Sequence, residues 1–323
     1  MKIQLWIAML SLSTGSFSQA IDNTNAFRNT GSDHYFRFYY ENDFFTASDE
    51  YYTQGIQFEW AHPRIKKFFL SKILVHLKEA PSIHGIAVET EGYTPVYIDR
   101  SEVQYGDRPF ASSILFKTFS ISIKRETKIR IASTFTAGVI GPAAGGKEIQ
   151  TSIHRWIGYT LPTGWVNQVR NDVVLNYQVN MEKNLVQGNV FRLLGDVSAR
   201  AGSYSTKFRG GFSVIVGKSP SLFENPLHGK KLFYYVYMQP QVNFIGYDAT
   251  LQGGLFNRSS PYTIAAKNIS RITFQDRLGV VVMKGNIYLE YFQYYLTKEF
   301  SSGHMHRSGG IQVGYFFKDR EMK

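Results

Sequence analysis

The chain contains no cysteine, only 10 prolines in 323 residues, and nowhere a run of roughly eighteen apolar residues. The first absence excludes disulfides and thiolate metal sites as the means of holding the fold together. The second leaves room for long uninterrupted strands, and the third excludes a membrane-spanning helix. What is abundant instead is aromatic: 21 Tyr and 25 Phe, with a formal charge of +11. That charge favours acidic partners such as lipid phosphates.

Residues 1–20, MKIQLWIAMLSLSTGSFSQA, place Lys2 before an apolar run from Ile3 to Leu12 and end on small residues. This is the layout of a secretory signal, so the mature chain is expected to be one domain over 21–323. Export removes ATP and cytosolic cofactors from consideration, and nucleic acid is not an expected partner.

Alternation dominates the rest. In DVVLNYQVNMEK, Val173, Leu175, Tyr177, Val179 and Met181 share one face, opposite Asn176, Gln178, Asn180 and Glu182. Similar segments recur near 33–43, 52–62, 82–90, 112–124, 128–139, 172–183, 189–202, 206–217, 231–245, 268–283, 286–297 and 307–317. About twelve strands of this kind in an exported, aromatic-rich chain predict an all-β fold, a transmembrane antiparallel barrel. Alternation alone also suits a soluble sandwich; the even count and the loop lengths favour the barrel. With the N-terminus in the periplasm, the turns near 125–127, 184–188 and Gly285-Asn286 fall inside, and the longer loops near 44–51, 91–111, 140–171, 246–267 and 298–306 fall outside. The exception is PRIKKFFLSKILVHLKE, 63–79, a long connection on the inner side. Ile65, Phe68, Phe69, Ile73 and Leu77 approach helical spacing among Lys66, Lys67, Lys72 and Lys78, predicting a short basic amphipathic helix. Such a helix would lie on anionic head groups of the inner leaflet or pack beneath the barrel, and the alternative to a helix is that the segment extends strands two and three.

The threading gathers four unusual stretches on the outer rim: NDFFTASDEYYTQG, the 91–105 loop with Arg100, GDRPFAS, and GVIGPAAGGKEIQTSIHRWIG. Taken alone, the first reads as a solvated loop with local Asx turns; the shared address makes a site. His154 is the candidate base, since imidazole titrates nearest neutral pH. Asp43 and Asp49, with Asn42 and Thr53, offer the hard oxygens that Ca²⁺ accepts, although not at EF-hand spacing. Arg108 suits either a brace to a carboxylate or a contact to substrate phosphate. Gly141 to Lys147 nearly spells a phosphate-cradling loop, but Glu148 stands where Ser or Thr is needed. No Gly-x-Ser-x-Gly elbow occurs, so a hydrolase of this sequence would use an activated water rather than a covalent serine.

Four blocks carry a resemblance: Asn42-Asp43-x-Phe45, Tyr52-Thr53-x-Gly55, Gly106-Asp107-Arg108, and the run from Gly138 through Glu148, Gln150, His154 and Arg155 to Gly158. Together they resemble the outer-membrane lipid A 3'-O-deacylases of Gram-negative bacteria. The resemblance implies a twelve-stranded barrel and a calcium-dependent hydrolase that removes the 3'-acyloxyacyl group of lipid A, with its site at the outer rim. It further implies His154, Asn42, Asp43 and Thr53 as catalytic residues and Arg100 as a stand-in toward substrate; the calcium reading of Asp43 and Asp49 and the substrate reading of Arg108 rest on the chemistry of those side chains. Arg100 stands near a Lys-Arg pair that some members carry, and Thr160 falls at or near a glutamate that such members place after the histidine. The expected partners are lipopolysaccharide and the membrane, with the chain as a monomer. The rivals are an outer-membrane phospholipase and a non-enzymatic porin or adhesin.

Overall fold

The computed structural model describes residues 32–46, 51–220 and 231–317. The signal segment read at 1–20 and the candidate ligand Asp49 lie outside them. Twelve antiparallel strands close into one barrel: β1 (Tyr35–Asn42), β2 (Tyr51–Ala61), β3 (Ser82–Thr94), β4 (Ala111–Lys124), β5 (Ile129–Ile140), β6 (Asp172–Gln187), β7 (Phe191–Gly202), β8 (Ser205–Lys218), β9 (Leu232–Asp248), β10 (Ile272–Lys284), β11 (Ile287–Leu296) and β12 (His306–Phe316). Each pairs with its chain neighbours, and β1 pairs with β12, Tyr35 opposite Phe316. Closure leaves no strand edge within the ring, the condition for a β-structure to stand in lipid.

The period of two decides the two surfaces. Along β9, Tyr234, Val236 and Met238 are exposed outward while Tyr235, Gln239, Gln241 and Asn243 are buried inward. The lumen is filled with side chains. Lys117 of β4 meets Glu89 of β3 at 2.6 Å, Arg277 of β10 meets Glu290 of β11 at 2.6 Å, and Arg130 of β5 pairs with Glu182 of β6. Above these pairs Tyr39, Tyr52, Tyr93, Phe292 and Tyr294 form a buried aromatic plug. Partnered charges are what a lumen shielded from bulk water requires.

The strand turns at 125–128, 188–190 and 285–286 are short and share one rim with the start of β1 and the end of β12. The loops at 95–110, 141–171 and 249–271 lie at the other rim. The 63–79 segment corrects the expectation of an amphipathic helix: it forms two 3₁₀ turns, Pro63–Lys67 and Phe69–Ile73, and then runs irregularly to β3 through a turn at Lys78 and Glu79. Helical periodicity was present, but the backbone groups of Ile73, Val75 and Leu77 bond to hydroxyls of the barrel wall instead of to one another. Tertiary partners outweigh propensity here.

Candidate functional site

The first half of the site is the β1–β2 hairpin. Asn42 ends β1 and makes an Asx turn, its side-chain oxygen accepting from the backbone N–H of Phe44 at 2.7 Å. Its Nδ2 donates to the carbonyl of Thr53 at 2.5 Å, closing the hairpin mouth. Thr53 falls at an irregularity in the β2–β3 register, between Tyr52 and Gln54; a bulge re-aims a side chain in this way. Its hydroxyl meets that of Thr94 at the end of β3, 2.8 Å away. A Cβ at Gly55 would lie 1.9 Å from the Tyr52 hydroxyl, so the glycine of Tyr-Thr-x-Gly exists to let that ring lie down. Asp43, next to Asn42, is 2 % exposed.

The second half is carried by helix α1 (Gly146–Ile157), inside what reads from sequence as a glycine-rich loop. A Cβ at Gly146 would come within 2.4 Å of the Ser112 Cβ, so the helix starts pressed against the first turn of β4. Gly146, Gln150 and His154 form its buried face, four residues apart, and Gln150 accepts a hydrogen bond from the indole of Trp165 at 2.7 Å. Gly158 ends the helix in the left-handed conformation, φ 70°, where glycine carries no Cβ penalty. The N–H of Tyr159 then bonds back to the carbonyl of His154, and the reversal brings the carbonyl of Thr160 to His154 Nδ1 at 2.5 Å. A carbonyl can only accept, so Nδ1 carries a proton here, and in the neutral ring the lone pair is on Nε2. The Tyr159 ring stands edge-on to the imidazole at 5.1 Å.

Gly106-Asp107-Arg108 proves to be a brace. Asp107 accepts from the backbone N–H groups of Val96 (3.0 Å) and Arg108 (2.7 Å). Arg108, 1 % exposed, pairs with Glu299, donates to the Thr250 hydroxyl at 2.7 Å and lies 4.3 Å over the Tyr93 ring. Tyr262 accepts from the N–H of Gly106 (2.8 Å) and donates to the carbonyl of Asp107 (3.0 Å). Burial raises this phenol above its usual range and keeps it a neutral donor. Of the two arginines expected to meet substrate, Arg108 is thus committed inside the protein. Arg100 is exposed, stacked 3.8 Å over Tyr97.

Asn42, Asp43 and Thr53 therefore form one unit and His154 another, on the same rim. The β3–β4 hairpin bridges them, touching the first through Thr94 and the second through Ser112. Around them the rim shows Phe44, Tyr105 and Trp156 to the outside, together with Lys147 and Arg155. The partners Thr94, Thr250 and Glu299 were not singled out from sequence. Thr160 had a signal, its place after the histidine, and its backbone rather than its side chain does the work.

A model of the family described as outer membrane protein LpxR matches residues 5–317. No curated protein matches the chain significantly. Among solved structures, LpxR from Salmonella typhimurium is similar at 20 % identity, covering 88 % of this chain and 100 % of that one with a TM-score of 0.71. The β domain of the Bordetella autotransporter BrkA follows at 8 % identity, 88 % and 99 % coverage and a TM-score of 0.47, too distant to bear on the site. With its twelve-stranded barrel and a family match over nearly its whole length, the chain belongs to the LpxR family of outer membrane proteins.

Proposed function

We propose that the chain, acting as a single copy, is a lipid A 3'-O-deacylase that hydrolyses the ester of the 3'-acyloxyacyl group, with its loop-bearing rim toward the cell exterior. The observation that carries this reading is the fixed imidazole: Thr160 holds Nδ1, which leaves Nε2 basic at the rim where the Asn42–Asp43 hairpin lies. The orientation follows from short turns and both strand termini at the opposite rim. Lys147, Arg155 and Arg100 offer positive charge to a phosphate-bearing lipid. A lumen filled with paired charges and aromatic rings supports an enzyme over a porin.

In this mechanism His154 Nε2 takes a proton from water, and the resulting hydroxide attacks the ester carbonyl. The bond between the acyl carbonyl carbon and the sugar's 3'-oxygen breaks, that oxygen takes the proton back from Nε2, and a carboxylic acid and a free 3'-hydroxyl result. One Asn42 N–H is spent on Thr53; an amide nitrogen carries two, and the second steadies the charge developing on the carbonyl oxygen. Thr53 orients the water.

The donor chemistry of the hairpin fits calcium. Asp43 is a buried carboxylate at the mouth of a hairpin that also holds the carbonyl and hydroxyl of Thr53 and the hydroxyl of Thr94, and Ca²⁺ takes such hard ligands with water filling the remainder. Among the described residues no group of three or more His, Cys, Asp or Glu is assembled, so Asp43 would hold the ion with Asp49 and neutral oxygens. The bound ion supplies positive charge that polarises the ester carbonyl. Chelation with EGTA is expected to silence turnover, and full activity under chelation would remove calcium from the scheme.

Mass spectrometry of lipids from expressing cells tests the reaction. Loss of the 3'-acyloxyacyl mass from lipid A is expected. Intact lipid A with altered glycerophospholipids would instead assign a phospholipase.

A further inference from the structure

Near the short-turn rim, the outer wall over β3 to β6 is not apolar. On β4, Lys117, Phe119 and Ile121 point into the lumen, so Thr118, Ser120 and Ser122 point out. Ser120 pairs across the sheet with His84 on one side and Ser133 on the other, extending the polar stripe. Bare hydroxyls are poor partners for lipid tails, yet Thr118, Ser120, Ser122 and Ser133 are all 0 % exposed.

The 63–81 segment covers them. It is laid along the outer wall as a strap. Ser133 donates to the carbonyl of Val75 at 2.7 Å, the N–H of Leu77 donates to the Ser122 hydroxyl at 2.9 Å, and Tyr177 of β6 donates to the carbonyl of Ile73 at 2.8 Å and accepts from the N–H of Val75 at 3.0 Å. Phe68 packs on Phe116 of β4. The strap's backbone at Ile73, Val75 and Leu77 is thus satisfied by Tyr177, Ser133 and Ser122 of the wall, while Thr118 donates to the carbonyl of Gly85 within the sheet. Its other side exposes Phe69, Ile73 and Val75, an apolar surface that continues the lipid-facing belt. Arg64, Lys66, Lys67, Lys72 and Lys78 are all exposed on it, and Glu79 is its only acid.

We propose that this strap is a docking surface for an anionic phospholipid of the leaflet on the short-turn side. Its acyl chains lie against Phe69, Ile73 and Val75, and its phosphate meets the lysines, whose long stems reach from apolar surface to head group. Charge complementarity selects the occupant: five cations against one carboxylate favour an anionic over a zwitterionic head group, by an amount that grows with each cation near the surface. On the neighbouring β4–β5 turn, Arg125 and Lys128 outnumber Glu126 and add to the same field. The inference depends on the barrel standing in a membrane and not on the reaction at the opposite rim.

The test uses the purified chain, folded in neutral detergent, with phosphatidylglycerol, phosphatidylcholine or inorganic phosphate added, read by native mass spectrometry and by the thermal midpoint. Phosphatidylglycerol is expected to stay bound in preference to phosphatidylcholine and to raise the midpoint, while inorganic phosphate does neither. The combined variant Lys66→Gln, Lys67→Gln, Lys72→Gln, Lys78→Gln should bind phosphatidylglycerol at least about tenfold more weakly, with phosphatidylcholine binding and ester hydrolysis unchanged. Equal retention of the two lipids by the parent chain would overturn the proposal. So would undiminished preference in the variant, or stabilisation by inorganic phosphate alone. Should the variant fail to fold, the parent chain decides: its preference must fade at high salt, where exposed charges are screened, and a salt-independent preference overturns the docking surface.

Discussion

Arg108 and His154 sit at one rim of one barrel and are held in opposite ways. Arg108 is locked by a buried ion pair to Glu299, a hydroxyl of the β9–β10 loop and the face of Tyr93, so that three loops close around a single guanidinium. His154 rides on a twelve-residue helix whose position depends on close approach at Gly146 and on a backbone reversal at Gly158. The brace uses strong, desolvated interactions that tolerate no missing partner. The helix uses glycines and one carbonyl, which set the direction of the imidazole and leave its second nitrogen uncommitted. The brace and the proposed base thus belong to different segments of the rim.

His154→Ala should separate them most sharply: hydrolysis falls by about 10²–10⁴, the span of a positioned general base, while the thermal midpoint of the folded barrel stays where it was. A large drop in the midpoint would make the histidine part of the brace. Arg108→Ala should do the reverse in kind. It strands Glu299 without its cation, a loss of about 3–5 kcal/mol by analogy with broken buried pairs, read as faster proteolysis of the 95–110 and 249–271 loops; unchanged proteolysis would contradict the brace. The smallest effect is expected from Gly158→Ala, where a Cβ in the left-handed region costs about 1–2 kcal/mol. Turnover should fall about tenfold through misdirection of the ring by the weakened Thr160 contact, with KM little changed.

The strands were readable because lumen and lipid alternate along each one: the segment expected at 172–183 is β6, Asp172–Gln187, and that expected at 112–124 is β4, Ala111–Lys124. Strand ends drifted where pairing continues past the alternation, as in β3, which runs on through Glu91, Gly92 and Tyr93 to Thr94. Two things were not readable. The strap over β4 has helical spacing, and the hydroxyls that draw it out of a helix lie far along the chain on Ser122, Ser133 and Tyr177. Likewise Glu299, in a stretch with no motif, gives no sign of closing on Arg108. That the β1–β2 hairpin and the segment bearing His154 share a rim was legible from the strand count; the contact of His154 Nδ1 was not, because its partner is the backbone carbonyl of Thr160.

The central claim is that His154 and Asn42, on separate loops, serve one reaction. A double-mutant cycle on lipid A hydrolysis by the purified barrel measures this directly, using His154→Ala, Asn42→Ala and the pair together. Groups that act as a unit are strongly non-additive, so the double variant should lose little more than His154→Ala alone. Losses that multiply would place the two residues in independent roles and contradict the account.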